Sequence, residues 1–344
     1  MNTDERIIGA LNHEPTDRIP YFEWSINAGV VDAVLPGATV DDFVYEMDLD
    51  AVPEVNIDYK AEKSGDIYTD EWGIRKQYNM EDHYFPLGGP IKDSEDFKSY
   101  KPPNPRDGHH FESLEKTLKK HQGKKSVVVH LNDIFSIPSR LMEYEDFMCA
   151  MVTDPDLIRD MVNMNVDIQL ILGEECIKRG IKFIMTGDDI AYVNGPLMSP
   201  KMFADLFLEP MKRVIGGYKE MGLYVMKHTD GDIMPLIDML ISTGIDCLDP
   251  IEPAAGMDLA FIKEKYGKNI CLKGNVDCAY LLTNGTVEET VEAVKNCIRI
   301  GGPGGGYIIS TSNSIHSSVS PANLKAMIET IHKYRDYPLK KDLF

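Results

Sequence analysis

The chain contains 344 residues, of which 43% are hydrophobic and 26% are charged, and its formal net charge at pH 7 is −19. This composition is typical of a globular protein with one large or two medium domains. The acidic charge argues against binding to nucleic acid or to an anionic membrane, because both need basic patches. The six cysteines form no C-x-x-C motif, and no apolar run reaches the ~18 residues of a membrane span. A reducing cytoplasm is therefore the expected location.

The chain begins with a predicted helix, followed by short apolar runs that each end in polar residues. Residues 1–18 predict this N-terminal helical extension, with Thr3 as the candidate N-cap. Eight of the following runs are candidate strands: 19–24, 49–55, 126–131, 182–189, 223–230, 246–253, 270–277 and 307–313.

Helical spacing of apolar residues appears between the later strands, at 232–244, 257–267 and 286–302. Strands that alternate with helices predict βαβ units and a parallel sheet. Eight of them predict an α/β fold, a (β/α)8 TIM barrel that residues 1–344 form as a single domain. Residues 56–125 are too long for one connection. We interpret them as an insertion after the second strand that covers the barrel mouth, with a hairpin turn at Trp72-Gly73.

Polar residues at the carboxyl ends of the strands are the candidate functional residues, because the active site of such a barrel lies there. His228 and Asp230, in the stretch "KHTDG", are the strongest candidates, since imidazole serves as a metal ligand, acid or base. The other polar residues expected at the mouth are Glu54, His130, Asp188, Asp189, Glu252, Asn275 and His316. So many titratable groups around one cavity cost desolvation energy unless they are paired or perform chemistry.

Structural roles are open for the weaker candidates. Asp188 and Asp189 could cap the next turn, and Glu252, between two prolines, could anchor a salt bridge. His130 could be a core histidine with satisfied hydrogen bonds, and Asn275 could bond to its own backbone in a tight turn. His316 lies several residues beyond its strand.

Common catalytic motifs of other classes are absent from the sequence. The glycine-rich stretch 301–307 precedes a strand, whereas a phosphate-binding loop lies between a strand and the N-terminus of a helix. No G-x-S-x-G and no H-E-x-x-H occurs. Nucleophilic hydrolases and metalloproteases of those kinds therefore lack support.

Several segments together resemble the uroporphyrinogen decarboxylase superfamily. They are "GDDIAYVNGPLMSPKMFADLFLEPMKRV", "HTDGDI", "GIDCLDPIEPAAGMDL", "GNVDCAYLLTNGTVEETV" and "GGGYIISTSNSIHSSVSPANLKAMI". The resemblance covers most of the chain and implies a (β/α)8 barrel. It also implies one of two activities: decarboxylation of uroporphyrinogen, or movement of methyl groups to or from corrinoid proteins.

The chain departs from the decarboxylase branch of this superfamily. In the stretch "YFEWSINAGVVDAV", Trp24 and residues 28–29 match the N-terminal motif of that branch, but both of its arginines are absent. A substrate with eight carboxylates needs such cations. The essential aspartate of the branch has no clean counterpart either, since only Glu54 or the shifted Asp58 stands near its position. Uroporphyrinogen is therefore not the expected substrate.

The chain also departs from the coenzyme M methyltransferase branch, which binds zinc through His-x-Cys and a later cysteine. His228 matches the histidine, but Asp230 replaces the first cysteine and the second falls near Asn313. Zinc held by His228 and Asp230, with Glu252 as a further ligand, is one hypothesis. The alternatives are a metal-free acid–base pair, or an Asp230 that orients the histidine.

The resemblance therefore implies a methyltransferase of the O-demethylase type, which moves a methyl group from a small O- or N-methylated substrate to a corrinoid protein. His228, Asp230 and Glu252 would be catalytic, and a homodimer is compatible with this assignment. The substrate-binding residues would be Asp188, Asp189, Tyr192, Asn275, His130, Trp24, Glu54 and His316. The alternatives are a decarboxylase of a smaller acid and a non-catalytic barrel that docks a corrinoid protein.

Overall fold

The computed structural model describes residues 1–78 and 84–343, apart from the side chains of Glu54, Val55 and Tyr84. Within these residues the strands, in chain order, are β1 (Ala51–Val55), β2 (Ala61–Ser64), β3 (Ile67–Asp70), β4 (Arg75–Tyr78), β5 (Tyr84–Pro86), β6 (Ser126–Leu131), β7 (Phe183–Gly187), β8 (Ala191–Tyr192), β9 (Gly195–Pro196), β10 (Tyr224–His228), β11 (Cys247–Asp249), β12 (Cys271–Val276) and β13 (Tyr307–Thr311). The α-helices are α1 (Thr3–Leu11), α2 (Ala28–Val34), α3 (Val40–Glu46), α4 (Ser94–Ser99), α5 (Glu112–His121), α6 (Ser136–Arg140), α7 (Tyr144–Thr153), α8 (Pro155–Lys178), α9 (Pro200–Phe203), α10 (Glu209–Glu220), α11 (Ile237–Ile241), α12 (Leu259–Tyr266), α13 (Leu281–Asn284), α14 (Val287–Gly301) and α15 (Pro321–Tyr334).

Seven strands form one parallel sheet in the order β1-β6-β7-β10-β11-β12-β13. Helices connect most of these strands, as parallel crossovers require. The register places His228 opposite Gly187 on one side and opposite Asp249 on the other. The predicted α/β fold is thus confirmed as a TIM-barrel-like arrangement of parallel strands and helices.

The prediction of eight strands is wrong for the first candidate, residues 19–24, which form only an isolated bridge between Tyr21 and Ile309. Pro20 has no N–H to donate, although its carbonyl accepts from the Ile309 amide at 3.0 Å. The carboxylate of Glu23 accepts from the Thr311 amide at 3.0 Å, in place of a backbone partner. Side chains therefore replace part of the ladder between this segment and β13, and no regular strand forms.

A separate apolar cluster fills the space inside the sheet. It contains the inward-facing side chains of several strands, including Phe183 and Met185 of β7 and Met226 of β10. Ile7 and Leu11 of α1 pack in the same cluster. Because Phe183 is the first residue of its strand, α1 lies at the amino-terminal end of the strands and leaves the carboxyl-terminal end for polar side chains.

The ends of α1 differ from those predicted. The N-cap is Asn2, not Thr3, because the Asn2 side chain accepts from the Glu5 amide while the Glu5 carboxylate accepts from the Asn2 amide, each at 2.9 Å. This reciprocal pair is a capping box. The helix ends at Leu11, before the predicted end at residue 18.

The region 56–125 contains more regular structure than the predicted hairpin and loop. Strands β2 to β5 form a four-stranded antiparallel sheet. Gly73 has a φ of +74° and lies in the turn between β3 and β4, next to the buried Trp72. The helices α4 and α5 follow before the chain enters β6.

Candidate active site at the carboxyl ends of the strands

His228, the last residue of β10, is fixed from below by a buried ion pair. Its Nδ1 lies 2.6 Å from Oδ2 of Asp249, the last residue of β11. Lys273 of β12 donates from Nζ to the other oxygen of Asp249 at 2.7 Å. All three side chains are buried and point into the interior, since each follows its inward-facing neighbour two residues earlier. Asp249 therefore orients the imidazole so that Nε2 faces the mouth.

Two further carboxylates lie on the mouth side of His228. Oδ1 of Asp230 is 3.5 Å from His228 Nε2, and Oδ1 of Asp189 accepts from the Asp230 amide at 3.1 Å. Asn313 donates to Oδ2 of Asp230 at 2.6 Å. Oδ1 of Asp230 is buried, and it has no hydrogen-bond partner among the described residues. A buried carboxylate oxygen that faces an imidazole and accepts no hydrogen bond is a position for a proton, a cation or a substrate.

The charges of the site shift the pKa values of its two central groups. Burial lowers the pKa of His228, but the carboxylates of Asp230 and Asp249 outweigh it and raise that pKa to about 9. Burial raises the pKa of Asp230 to about 7, helped by the neighbouring Asp189 and Glu252 carboxylates and opposed by His228. At neutral pH the imidazole is thus a cation that holds a proton at Nε2.

Aromatic side chains form one wall around the imidazole. The Trp24 ring stacks on His228 with a centroid distance of 5.0 Å and meets the edge of His130 at 4.8 Å. His130 in turn has its Nδ1 2.8 Å from Oδ1 of Asn56. A Cβ atom at Gly187 would lie 2.5 Å from His130 Nε2, so only glycine leaves room for this ring.

A cavity of about 210 Å³ adjoins the cluster at Asp189. Its other lining residues are Pro86, Gly88, Phe135, Ser136, Ser139, Arg140, Met142, Tyr144, Ala191, Tyr192 and Leu197. The volume suits a small molecule, and Arg140 supplies the cation of this lining. Pro86 and Gly88 belong to the region 56–125; that this region covers the barrel mouth stays a prediction.

Asp188 does not join its neighbour Asp189 at the mouth. Successive residues of a strand face opposite sides, and the Asp188 carboxylate accepts from the amides of Ile134 and Phe135 at 2.8 Å and 2.5 Å. The side chain is fully buried there. The expectation that Asp188 binds substrate therefore loses its geometric basis, while the capping alternative fits the contacts.

The remaining candidates lie around the cluster at different depths. Glu252 accepts from the Gly231 amide at 2.7 Å, which fixes the loop after β10. Asn275 donates to the Ile251 carbonyl at 2.8 Å, so its amide is engaged by the backbone. His316 has its Nε2 3.3 Å from the Cys278 carbonyl. The side chain of Glu54 lies outside the described residues.

Sequence reasoning missed Asp249 and Lys273. The usable signal was a charged residue two positions after an inward-facing apolar residue, Cys247 before Asp249 and Cys271 before Lys273. A charge buried at such a position needs a partner of opposite sign.

The mouth cluster fits a metal ion by geometry. One ligand atom each from Asp189, His228 and Asp230 lies within 4.8 Å of the others, and Asp249 holds the second nitrogen of the imidazole as metal-bound histidines usually require. Two carboxylates and one imidazole form an acceptable set for zinc. The set lacks the thiolates that a thiol-activating zinc site uses. Asp189 takes the place of Glu252, which we expected as the third ligand.

Comparison with known families identifies the family of this chain. The family model for uroporphyrinogen decarboxylase (URO-D) matches residues 73–334, which is most of the chain. The chain belongs to the uroporphyrinogen decarboxylase family. The expected membership, based on the resemblance of "HTDGDI" and the other segments, is confirmed.

Members of this family with different activities are similar to the chain. The uroporphyrinogen decarboxylase of Pseudoalteromonas atlantica is 22% identical over 53% of this chain and 50% of its own length. The methylated-thiol–coenzyme M methyltransferase of Methanosarcina mazei is 20% identical over 63% of this chain and 55% of its own length. The chain spans about half the length of the curated relatives it matches.

One solved structure shares the fold over almost the whole chain. A methyltransferase from Methanosarcina mazei superimposes with a TM-score of 0.75 at 17% identity, covering 97% of this chain and 99% of its own. This likeness confirms the TIM-barrel-like fold. None of the helices in the described part of the chain is both long and apolar enough to cross a bilayer.

Proposed function

We propose that the protein transfers a methyl group from a small O- or N-methylated compound to a corrinoid protein. The observation that carries the proposal is His228, a buried imidazolium between Asp249 and Asp230 whose neighbour Asp189 lines a small cavity. The similarity to methyltransferases from Methanosarcina mazei supports the same reaction class. Among the described residues that line the cavity, Arg140 is the only cation, which argues against a substrate with eight carboxylates.

The proposed chemistry is proton donation to a leaving group. Loss of a methyl group leaves an electron pair on the substrate oxygen or nitrogen, and His228 Nε2 donates its proton to that atom. Asp249 keeps a hydrogen bond at Nδ1, so the proton that is free to leave is the one at Nε2. Trp24 covers one face of the ring and excludes water from it. The corrinoid of the partner protein would accept the methyl group.

A metal would serve the same step in another way. Asp189, His228 and Asp230 are the residues that would hold a zinc ion, which would supply Lewis-acid activation of the leaving group. Elemental analysis of the purified protein distinguishes the two versions: one equivalent of zinc that is lost in His228→Ala supports the metal version.

The rim of the mouth offers a surface for the corrinoid protein. Tyr192 and Val193, after β7, and Tyr280, after β12, are 63%, 55% and 69% exposed. Loops that follow parallel strands lie together at the carboxyl end of those strands. These apolar side chains therefore surround the same opening. Exposed aromatic residues are enriched at protein interfaces.

The test is an assay of methyl transfer to reduced corrinoid protein with a panel of methyl ethers and methylamines. We expect methylcobamide to form with at least one compound. The rate should fall by a factor of about 10² or more in His228→Ala, as for other general acids. His332→Ala is the matched control, because His332 on α15 bonds only to the Met47 carbonyl outside the site.

Two other outcomes would contradict the proposal. Release of carbon dioxide from small carboxylic acids, without methylcobamide, would establish the decarboxylase alternative. Stable binding of a corrinoid protein without turnover of any compound would establish the docking alternative.

A further inference from the structure

A second cluster of metal-binding side chains lies in the inserted region. Glu71, which directly follows β3, has Oε1 2.6 Å from His109 Nε2 and Oε2 2.8 Å from His110 Nε2. The two imidazole centroids are 4.2 Å apart. The two oxygens of one carboxylate thus contact the Nε2 atoms of two consecutive histidines. No residue of this cluster takes part in the proposed methyl transfer.

The two ring nitrogens of His109 both contact carboxylates. Its Nδ1 lies 2.7 Å from Oδ1 of Asp107, so a carboxylate faces each ring nitrogen. A neutral imidazole has one N–H and can donate to only one of them. Either His109 is a cation, or a metal ion replaces its Nε2 proton after the Glu71 carboxylate moves away from the 2.6 Å contact, because zinc lies about 2.0 Å from each ligand atom. A carboxylate on the far nitrogen is the arrangement that commonly holds metal-bound histidines.

Packing helps to fix the position of His110, in addition to the contact of its Nε2 with Glu71. Its side chain is fully buried, and the Tyr59 ring packs against it at a centroid distance of 4.8 Å. Its carbonyl accepts from the Asp58 amide at 3.0 Å. The rotamer that points Nε2 toward Glu71 is therefore built into the region and does not depend on a ligand.

We infer that Glu71, His109 and His110 bind one divalent cation of the zinc type. Two imidazoles and one carboxylate form a ligand set that suits zinc, cobalt and nickel. The ligand atoms of the three residues already lie within 4.8 Å of one another. The side chains of Glu71 and His109 are 24% and 19% exposed, so water can reach the ion and complete its coordination.

Such an ion would connect two parts of the inserted region. Glu71 directly follows β3, an inner strand of the antiparallel sheet, whereas His109 and His110 lie in the 3-10 turn Gly108–Phe111 that leads into α5 and β6. Binding would therefore stabilise the sheet against the barrel. Saturating zinc should raise the melting temperature by roughly 3 °C, since a ligand at 100 times its Kd stabilises measurably even a large domain.

The experiment uses Co²⁺ as a visible probe in the full chain. The protein carries His228→Ala, which removes the imidazole of the mouth cluster, and is stripped of metal with EDTA. We expect one equivalent of Co²⁺ to give visible d–d absorption that Zn²⁺ abolishes. Glu71→Gln keeps the side-chain shape but loses the charge, and it should weaken binding by about 100-fold or more, because even outer partners of a metal contribute 10- to 100-fold.

A matched control is His121→Gln. His121 also lies beside a carboxylate, with Nε2 3.2 Å from Asp41 Oδ1, but it belongs to no group of three ligands among the described residues. Its substitution should leave Co²⁺ binding unchanged. His109→Gln provides a second ligand variant, and circular dichroism shows that each variant is folded. Absence of the absorption, or binding that Glu71→Gln and His109→Gln leave intact, would overturn the inference.

Discussion

His228 differs from an ordinary surface histidine because a carboxylate faces each of its nitrogens. Asp249 lies at Nδ1 and Asp230 at Nε2, and Lys273 balances the buried charge of Asp249. Burial raises the pKa of Asp249, but Lys273 and His228 outweigh it and hold that pKa below its usual range. Asp249 is thus a permanent anion that stabilises the imidazolium.

The role of Asp249 can be tested with Asp249→Asn. The amide retains the shape but not the charge, so the pKa of His228 should fall by about 1–2 units, the equivalent of one charge-assisted hydrogen bond. NMR titration of the imidazole measures this shift. Methyl transfer should drop by about 10- to 100-fold. An unchanged His228 pKa would show that Asp249 only fills space.

A second buried network lies behind the site, on the outer side of the sheet. Nζ of Lys227 is 2.7 Å from Oδ2 of Asp133 and donates to the Asp188 carbonyl at 2.8 Å. Burial and the Asp188 carboxylate raise the pKa of Asp133 to about 7, although Lys227 lowers it. Burial raises the pKa of Asp188, but the hydrogen bond from Asp133, the charge of Lys227 and the Phe135 amide outweigh it and hold that pKa below its usual range. The two carboxyl groups therefore share one proton near neutrality.

This shared proton predicts how stability depends on pH. Aspartic acid in an unfolded chain titrates near pH 4, so between about pH 4 and 7 the folded state holds an extra proton on Asp133. The free energy of unfolding should then fall as pH rises through this window, by up to about 4 kcal/mol, because each pH unit corresponds to about 1.4 kcal/mol. Asp133→Asn imitates the protonated form. Its urea midpoint should therefore decrease less between pH 5 and 8 than that of the unmodified protein. Parallel curves for the two proteins would contradict the assignment. Asp230 and, above about pH 6.5, His228 supply the slope that remains.

At the scale of elements, the loop after β10 is the part that places the catalytic groups. Gly231 has a φ of +91°, and its amide donates to Glu252 while the preceding Asp230 amide donates to Asp189. A Cβ at this glycine would lie 2.7 Å from the carbonyl carbon of Ala191. The loop can therefore meet the strand β8 closely only because residue 231 has no side chain.

Comparison of Gly231→Ala with Gly222→Ala should separate the cost of backbone strain from the cost of a steric clash. Gly222 also has a positive φ, +86°, but nothing lies within 4 Å of its missing Cβ. We expect Gly222→Ala to cost about 1 kcal/mol for the backbone conformation alone. Gly231→Ala should cost about 2 kcal/mol more and reduce methyl transfer, because the loop must move. Equal losses of stability in urea melts would contradict the close contact.

At the scale of the whole molecule, Asp50 connects the N-terminal segment to the sheet. This fully buried carboxylate accepts from Arg6 at 2.5 Å and Arg18 at 3.2 Å, and from the Tyr21 amide at 2.9 Å. The Asp50 amide donates to the Tyr21 carbonyl at 2.6 Å. Residues 19–24 thus remain beside the sheet without forming an eighth strand.

Asp50→Ala should therefore destabilise the entire protein. Loss of Asp50 leaves the buried Arg6 guanidinium with only the partly exposed Asp17 carboxylate, and removal of one partner from a buried ion pair costs about 3–5 kcal/mol. Asp17→Ala is the control, because Asp17 also binds Arg6 but its side chain is 43% exposed, and an exposed pair contributes about 1 kcal/mol or less. Thermal unfolding measures both. A small effect of Asp50→Ala would mean that Asp17 alone holds Arg6.

The sequence by itself determined where seven parallel strands lie and that His228, Asp230 and Asp189 follow them. Apolar runs that end in polar residues depend on local burial, which the order of residues records directly. Family membership could also be inferred from the sequence, because several ordered segments resemble known relatives.

Only the tertiary structure decided which polar groups meet. Asp188 and Asp189 are neighbours in the chain but lie on opposite sides of the sheet, and Asp249 and Lys273 reach His228 only through the register of three strands. The cluster of Glu71, His109 and His110 joins residues 38 positions apart. Hydrogen bonds and ion pairs act over a few ångströms in space, whereas sequence patterns report burial along the chain.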